Sequence, residues 1–441
     1  MQNHRFLPLV CALGMAFAAS AQAQNLSSLY EAARVYDATY QSAKSQFDAN
    51  LAKAEQAKAG LYPTAGLSAG LARANVDNSN PSVTRNATSN PTSQNLSVNA
   101  SQPLYRPANS ATAAQGEKQA ALAQAALTTA EQDLIIRVTQ AYFDVLASQD
   151  SLAFVKAQKA AVAEQLASAK RNFEVGTSTI TDTREAQARA DLVTAQEIAA
   201  DNDLRVKKIA LDQLVGKTNS IPRPLALPLT LAAPLPADVD AWVAQSEDVH
   251  PSIKSAQLAL DVAQLETQKA QAGHKPTLDL NASYGINRTL NVPPANNRAN
   301  TASIGVVLNL PLFAGFATQN RIKETLLLED KARNDLEGAK RAIAQATRTA
   351  YFGVISGQGQ VKALEAAEAS SQSALDANKL GYQVGVRINI DVLNSQSQLF
   401  QTKRDLAKAR YDMLVGGLKL RQANGTLKAE DILQVNNLLT K

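Results

Sequence analysis

The chain has 441 residues, with 44 Lys and Arg against 39 Asp and Glu, a formal charge of +5 and one cysteine. A mild surplus without a basic block argues against a nucleic-acid partner, and a lone Cys11 excludes a disulfide framework. Beyond the first residues no stretch approaches about 18 consecutive apolar residues, so a membrane role has to come from strands or a surface helix.

Residues 1–23 read as a secretory signal. His4 and Arg5 make a polar, basic start, Phe6 to Ala19 is an apolar run, and Ala21-Gln22-Ala23 is a small–x–small cleavage pattern. Cys11 lies inside the apolar run rather than at the cleavage point, which argues against a lipoprotein. Cleavage after Ala23 leaves a cysteine-free chain from residue 24 to 441, with 43 basic and 39 acidic residues.

Residues 24–220 are expected to form a first structural repeat: helix, two strands, long helix, corner, helix. The strands alternate, with Leu67, Ala69 and Leu71 on one face, then Leu96, Val98 and Ala100. No proline interrupts the chain between Pro107 and Pro222. Because proline costs a helix interior roughly 3 kcal/mol, the Ala-, Gln-, Glu- and Lys-rich segment from Ala108 to Phe173 is free to run as one helix of roughly 100 Å. It ends at the corner "FEVGTSTITD", Phe173 to Asp182, where Gly176 is a helix-terminating glycine. The Pro-rich segment 221–237 reads as an extended connector.

Residues 238–427 then repeat the pattern, and 428–441 form a C-terminal tail. "AYFDVLA" at Ala141 recurs as "AYFGVIS" at Ala350, and Gly176 and Asp182 recur as Gly385 and Asp391, in both cases 209 residues on. Order-preserving similarity of this kind indicates a tandem duplication. The second strands, "TLDLNASYGI" and "SIGVVLNLPL", alternate more cleanly than the first. Their connections, residues 77–93 and 288–300, are long and polar. Apolar-out, polar-in strands resemble those of outer-membrane barrels, although a soluble sheet also alternates. Four strands cannot close a pore, whereas the smallest membrane barrels need about eight. Three chains sharing one barrel would supply twelve. In the last long helix Val392, Leu399, Leu406, Met413 and Leu420 recur at sevens, a coiled-coil seam.

Catalytic chemistry is not legible. His250 and His274 are the histidines left after the signal, and they lie far apart, which argues against a metal centre. There is no Ser–His–acid signature, phosphate loop or paired carboxylate, and no cofactor is expected. At the corner "YQVGVRINIDVLN", Tyr382 to Asn394, Gly385 is a second terminating glycine. Arg387 and Asp391 are open to two readings: a charged functional site, or ordinary first-turn helix chemistry.

Taken together, the signal, the duplicated helix–strand–strand–helix order and these corners resemble the TolC family of outer-membrane efflux and type I secretion ducts. The likeness spans essentially the whole mature chain. It is strongest at "GYQVGVRINIDVLNSQSQLFQTKRDLAKARYDML", "FEVGTSTITD" and "GTLKAEDILQVNNLL". It implies an α+β membrane protein: a homotrimer with a twelve-stranded β-barrel, four strands per protomer, continued by a coiled-coil periplasmic tunnel. It also implies a passive, non-enzymatic conduit. Its partners would be a periplasmic adaptor, an inner-membrane transporter of RND, ABC or MFS type, and outer-membrane lipid. Cargo would range from small toxic molecules to secreted protein.

The resemblance further implies a gate network at the periplasmic tip. Tyr382 and Arg387 take its aromatic and basic positions, Thr181 and Asp182 their acceptors, and Arg410 a further basic tie. Asp391 would line the pore constriction. The family pattern has a second aspartate where this chain has Asn394, leaving one carboxylate ring in place of two. A periplasmic adaptor or an exported coiled-coil protein is the alternative; the first would carry a compact β-domain and the second would lack the two-fold repeat.

Overall fold

The computed structural model describes residues 24–78, 87–226, 234–291 and 296–440. The signal segment, Cys11 and the middles of both polar strand connections lie outside them. In order, the elements are α1 (Leu26–Tyr36), α2 (Ala38–Lys58), β1 (Thr64–Arg73), β2 (Val76–Asn78), β3 (Ala87–Ser89), β4 (Thr92–Tyr105), α3 (Pro107–Glu174) and α4 (Ile180–Val215). There follow α5 (Val239–Val249), α6 (Pro251–Gln271), β5 (Thr277–Leu290), β6 (Asn297–Asn309), α7 (Ala317–Gln383), α8 (Asn389–Ala423) and α9 (Glu430–Asn436). Two connections expected to be loops are partly strand: β2 pairs with β3, β5 runs to Leu290 and β6 begins at Asn297. Their Asn, Thr and Arg content looks like loop, yet the ladder satisfies the backbone whatever the side chains. The C-terminal tail likewise holds α9.

The chain forms two compact units, each drawing on both halves of the sequence. One comprises Lys44–Leu127 and Pro251–Lys340. Its sheet has the order β1-β4-β5-β6, antiparallel throughout. The register places Leu67 opposite Val98 and Val98 opposite Tyr284, so the alternating apolar sets share one face. The other face is polar, with hydroxyl pairs Ser68–Ser97 at 2.7 Å and Ser283–Ser303 at 2.8 Å. Both edges, β1 and β6, are exposed along their whole length. Long unpaired edges of this kind require further strands to close them.

Charged and small residues fix the helices of this unit. Arg106 grips Asp279 with two bonds of 2.7 Å, anchoring the start of α3 to β5. Lys118 reaches Asp261 at 2.8 Å, and Gln115 and Arg321 both donate to Glu266. Gly116 lets α3 approach α2 closely: a methyl there would stand 2.7 Å from the Ala57 Cβ.

The second unit comprises Thr128–His250, Arg341–Lys441 and the chain up to Ala43. Its core is aromatic at one level, with Tyr142 and Phe143 fully buried and Phe143 stacked on Tyr411 at 5.4 Å. The Tyr411 hydroxyl donates to Asp150 at 2.6 Å, and burial raises both groups above their ordinary values. Arg137 holds Asp37 through two bonds of 2.8 Å, keeping that carboxyl below the usual range against its burial. The connector pairs briefly at Pro222 with Gln24 and at Leu225 with Leu439.

All five heptad positions of α8 are buried. They pack on α7 through Leu375, Val361 and Val354, which also differ by multiples of seven. A further heptad set escapes a reading of α8 alone: Val155, Val162 and Ala169 of α3 pack with Ala186 and Val193 of α4, and Leu393 inserts among them.

Candidate gate at the helix corners

Two corners lie at the α3–α4 and α7–α8 junctions, both in the helical unit. Each chain reversal begins with a glycine in the left-handed region, Gly176 at φ +77° and Gly385 at φ +80°, where an L side chain would be strained. The Thr177 amide donates to the Asn172 carbonyl at 2.8 Å, and the Val386 amide donates to that of Gly381 at 2.9 Å. These bonds capture carbonyls left open at the helix ends.

The first corner satisfies itself. Thr179 caps α4 by accepting from the Asp182 amide at 3.2 Å, while the Asp182 Oδ2 accepts from the Thr179 amide at 3.0 Å. Ser178 and Thr179 hydroxyls donate to the same oxygen at 2.7 and 2.9 Å. Burial pushes the Asp182 carboxyl up, but these bonds together outweigh it and hold it below the usual range. Its Oδ1 receives no bond among the described residues. Thr181, beside it, is exposed and has no side-chain bond among the described residues.

The second corner does not. Ile388 stands at the cap position and has no side-chain bond to offer. Asp391 faces Arg387 at 3.7 Å, a distance beyond a hydrogen bond, with 58% of the Arg387 side chain exposed. No bond joins Arg387 to Thr181 or Asp182 within the protomer. The Tyr382 hydroxyl accepts from Asn172 Nδ2 of the first hairpin at 3.2 Å. Arg189 donates to Asn394 Oδ1 at 2.8 Å. Arg410 ties α8 to α7 through Glu365 at 2.9 Å.

The sequence reading missed four residues that join the hairpins: Gln165, Asn172, Arg189 and Asn389. Asn389 is fully buried, accepts from Gln165 and donates to the Asp182 carbonyl at 3.4 Å. Asn172 carries the Tyr382 contact. The duplication contains the signal, since the counterparts of Asn389 and Tyr382, 209 residues earlier, are Ile180 and Phe173. Both polar groups exist only in the second copy.

No helix among the described residues is long and apolar enough to cross a membrane. No group of His, Cys, Asp and Glu among them could hold a metal ion.

The family model described as "Outer membrane efflux protein" matches residues 18–217 and 242–426. The chain is 33% identical to Outer membrane protein TolC of Vibrio cholerae over 98% of both chains. It is 32% identical to the alkaline protease secretion protein AprF of Pseudomonas aeruginosa, over 72% of this chain and 66% of that one. Among solved structures it is similar in fold to the outer membrane protein VceC of Vibrio cholerae, with a TM-score of 0.77 at 20% identity, over 91% of this chain and 96% of that chain. The fold is therefore that of a trimeric duct, each protomer giving four strands to a twelve-stranded barrel and its long helices to a coiled-coil tunnel. Such ducts are channels that work with an adaptor and an inner-membrane transporter. The chain belongs to the outer membrane efflux protein family, as an outer-membrane exit duct for efflux and type I secretion with a large periplasmic portion.

Proposed function

We propose that the α7–α8 corner is the gate of this duct, closed by Tyr382 and Arg387 against the α3–α4 hairpins around it. The observation that carries this reading is the unmatched chemistry of the corners. Arg387 is exposed and only loosely held by Asp391, while Asp182 keeps one carboxylate oxygen open beside the free hydroxyl of Thr181. Between neighbouring protomers these groups complement each other: a guanidinium fork and a carboxylate form directional, charge-assisted bonds. Partly solvated, each contributes about 1 kcal/mol or less, strong enough in a three-fold set to hold a closed state and weak enough to release it. Tyr382 and Arg410 brace the moving pair, and Asp391, with Asn394 neutral, lines the constriction with one carboxylate per protomer.

In this reading the chain turns over no substrate and takes no cofactor. Its cargo, small toxic molecules or secreted protein, is chosen by a transporter of RND, ABC or MFS type through a periplasmic adaptor. Residues 24–220 and 238–427 are the two copies of a duplicated unit, joined by 221–237 and following a cleaved signal, residues 1–23.

The test is conductance. Arg387→Ser with Tyr382→Phe removes the charge-assisted and phenolic bonds, and the phenyl ring that remains keeps the packing of position 382 against Leu375, Val392 and Leu399. The resting trimer in a planar bilayer should conduct on the order of tenfold more, since each 1.4 kcal/mol shifts an equilibrium tenfold. Conductance equal to wild type in a folded trimer would place the gate elsewhere.

A further inference from the structure

At the far end of the sheet from the helices, the register sets three arginines on the apolar face. Leu71, Gln94, Arg288 and Arg298 stand in one row across β1, β4, β5 and β6. Directly opposed residues share a face, so this row continues the apolar rows Leu67–Val98–Tyr284–Ala302 and Ala69–Leu96–Ile286–Asn300. Arg73, two residues beyond Leu71, falls on the same face in the next row. All three arginines are exposed, and none is in an ion pair among the described residues.

The position is unusual on two counts. Like charges directly opposite on an antiparallel pair repel, and Arg288 and Arg298 are such a pair. Acids are scarce in the connections: residues 287–300 contain no Asp or Glu, and 74–91 contain Asp77 alone, with a further Arg85. Moreover, Gln94, Asn95, Leu96, Ile286, Arg288 and Arg298 line a recess of about 330 Å³. The recess thus sets two guanidinium groups beside two apolar side chains.

The depth fits a membrane boundary. From the Leu278 row to the Arg288 row a strand climbs roughly 34 Å, or about 26 Å along the normal at a ~40° tilt, close to the height of a barrel's apolar band. The four helix connections leave the opposite end, toward the periplasm, so this end meets the outer leaflet.

We infer that Arg73, Arg288 and Arg298 form a collar that binds the phosphate groups of an outer-leaflet phosphorylated lipid, its acyl chains lying on the apolar rows below. Guanidinium groups suit phosphate because they bind it bidentately. A carboxylate partner would cancel the collar, and none pairs with these arginines among the described residues, as a lipid site requires. Where β6 meets the β1 of the next copy, Arg298 and that copy's Arg73 join the same rim.

The test uses the detergent-solubilised full-length trimer and native mass spectrometry. The probes are lipid A with two phosphates, its dephosphorylated form, and inorganic phosphate. Wild type should retain the bisphosphorylated lipid on the order of tenfold better than the dephosphorylated one, and Arg288→Gln with Arg298→Gln should erase the difference. Equal retention of both lipids by wild type, or a preference unchanged in the variant, overturns the proposal. Displacement of the lipid by millimolar inorganic phosphate also overturns it, because the site would then be one for a free anion. Should the variant fail to assemble, the thermal midpoint of the wild-type trimer decides: it should rise with the bisphosphorylated lipid and not with the dephosphorylated one, and equal midpoints refute the collar.

Discussion

The two corners share a backbone and differ in what their side chains are free to do. Ser178, Thr179 and Asp182 of the first correspond, 209 residues on, to Arg387, Ile388 and Asp391 of the second. In the first, the carboxylate is committed to the capping box, and the serine four residues before it adds a bond of 2.7 Å. In the second, isoleucine replaces the cap and arginine replaces the serine, so the same carboxylate faces a charge at 3.7 Å. One copy has spent one oxygen of its acid on local stability. The other has given up its cap and put an exposed charge in the same place, which under the proposed gate is how a duplicated structural element becomes a working part.

The largest effect expected from breaking this difference is at Asn389. Replacing it with its counterpart's residue, Asn389→Ile, removes the bonds to Gln165 and to the Asp182 carbonyl from a fully buried position. Losing two hydrogen bonds costs about 1–3 kcal/mol, so the trimer's urea midpoint should fall accordingly. An unchanged midpoint would show the hairpins to be joined by heptad packing alone. Next come the caps. Thr179→Ala should cost about 1 kcal/mol, and Ile388→Thr should return a similar amount by giving Asp391 a capping partner. Hydrogen exchange of the first-turn amides reads both, and the second variant should also draw Asp391 away from Arg387.

Smaller still is a pH effect confined to the first corner. Hydrogen bonds hold the Asp182 carboxyl below its ordinary value despite burial. Its contribution is therefore fully present above about pH 4 and is lost as the pH falls through the folded value. Exchange at Thr179–Asp182 should accelerate in that window, and the acceleration should shrink in the Thr179→Ala variant, where part of the network is already gone.

Much of this architecture was readable because it rests on local patterns. The absence of proline and the alanine content mark α3, which spans Pro107–Glu174 against an expected Ala108 to Phe173. The five sevens of α8 are all buried, and the alternation of β5 and β6 fixes which face is apolar. The rest depends on axial register between distant segments. Nothing near Tyr382 announces Asn172, because that contact exists only once α3 and α7 are laid side by side. The arginine row is equally silent in sequence, as Arg73, Arg288 and Arg298 align only through the strand ladder. Even the outer connections misled, since pairing continues into residues whose composition suggests loop.

The smallest effect concerns ion preference at the constriction. In the proposed gate three Asp391 carboxylates in a narrow mouth would raise the local cation concentration, but each lies near an Arg387 that partly offsets it. Asp391→Asn should therefore lower the cation-over-anion permeability ratio only about twofold, a change of about 0.4 kcal/mol. The informative partner experiment is Asn394→Asp. If position 394 faced open water, a second carboxylate would strengthen cation preference as much as the first. Here Asn394 Oδ1 already accepts from Arg189 at 2.8 Å, so an introduced carboxylate meets a guanidinium and its field is largely cancelled. Reversal potentials in asymmetric salt should then show almost no gain for Asn394→Asp, and a clear gain once Arg189→Gln is added. A strong gain from Asn394→Asp alone would mean that Arg189 turns away in the trimer, and that the hairpins are held together by Asn389 and Tyr382 without it.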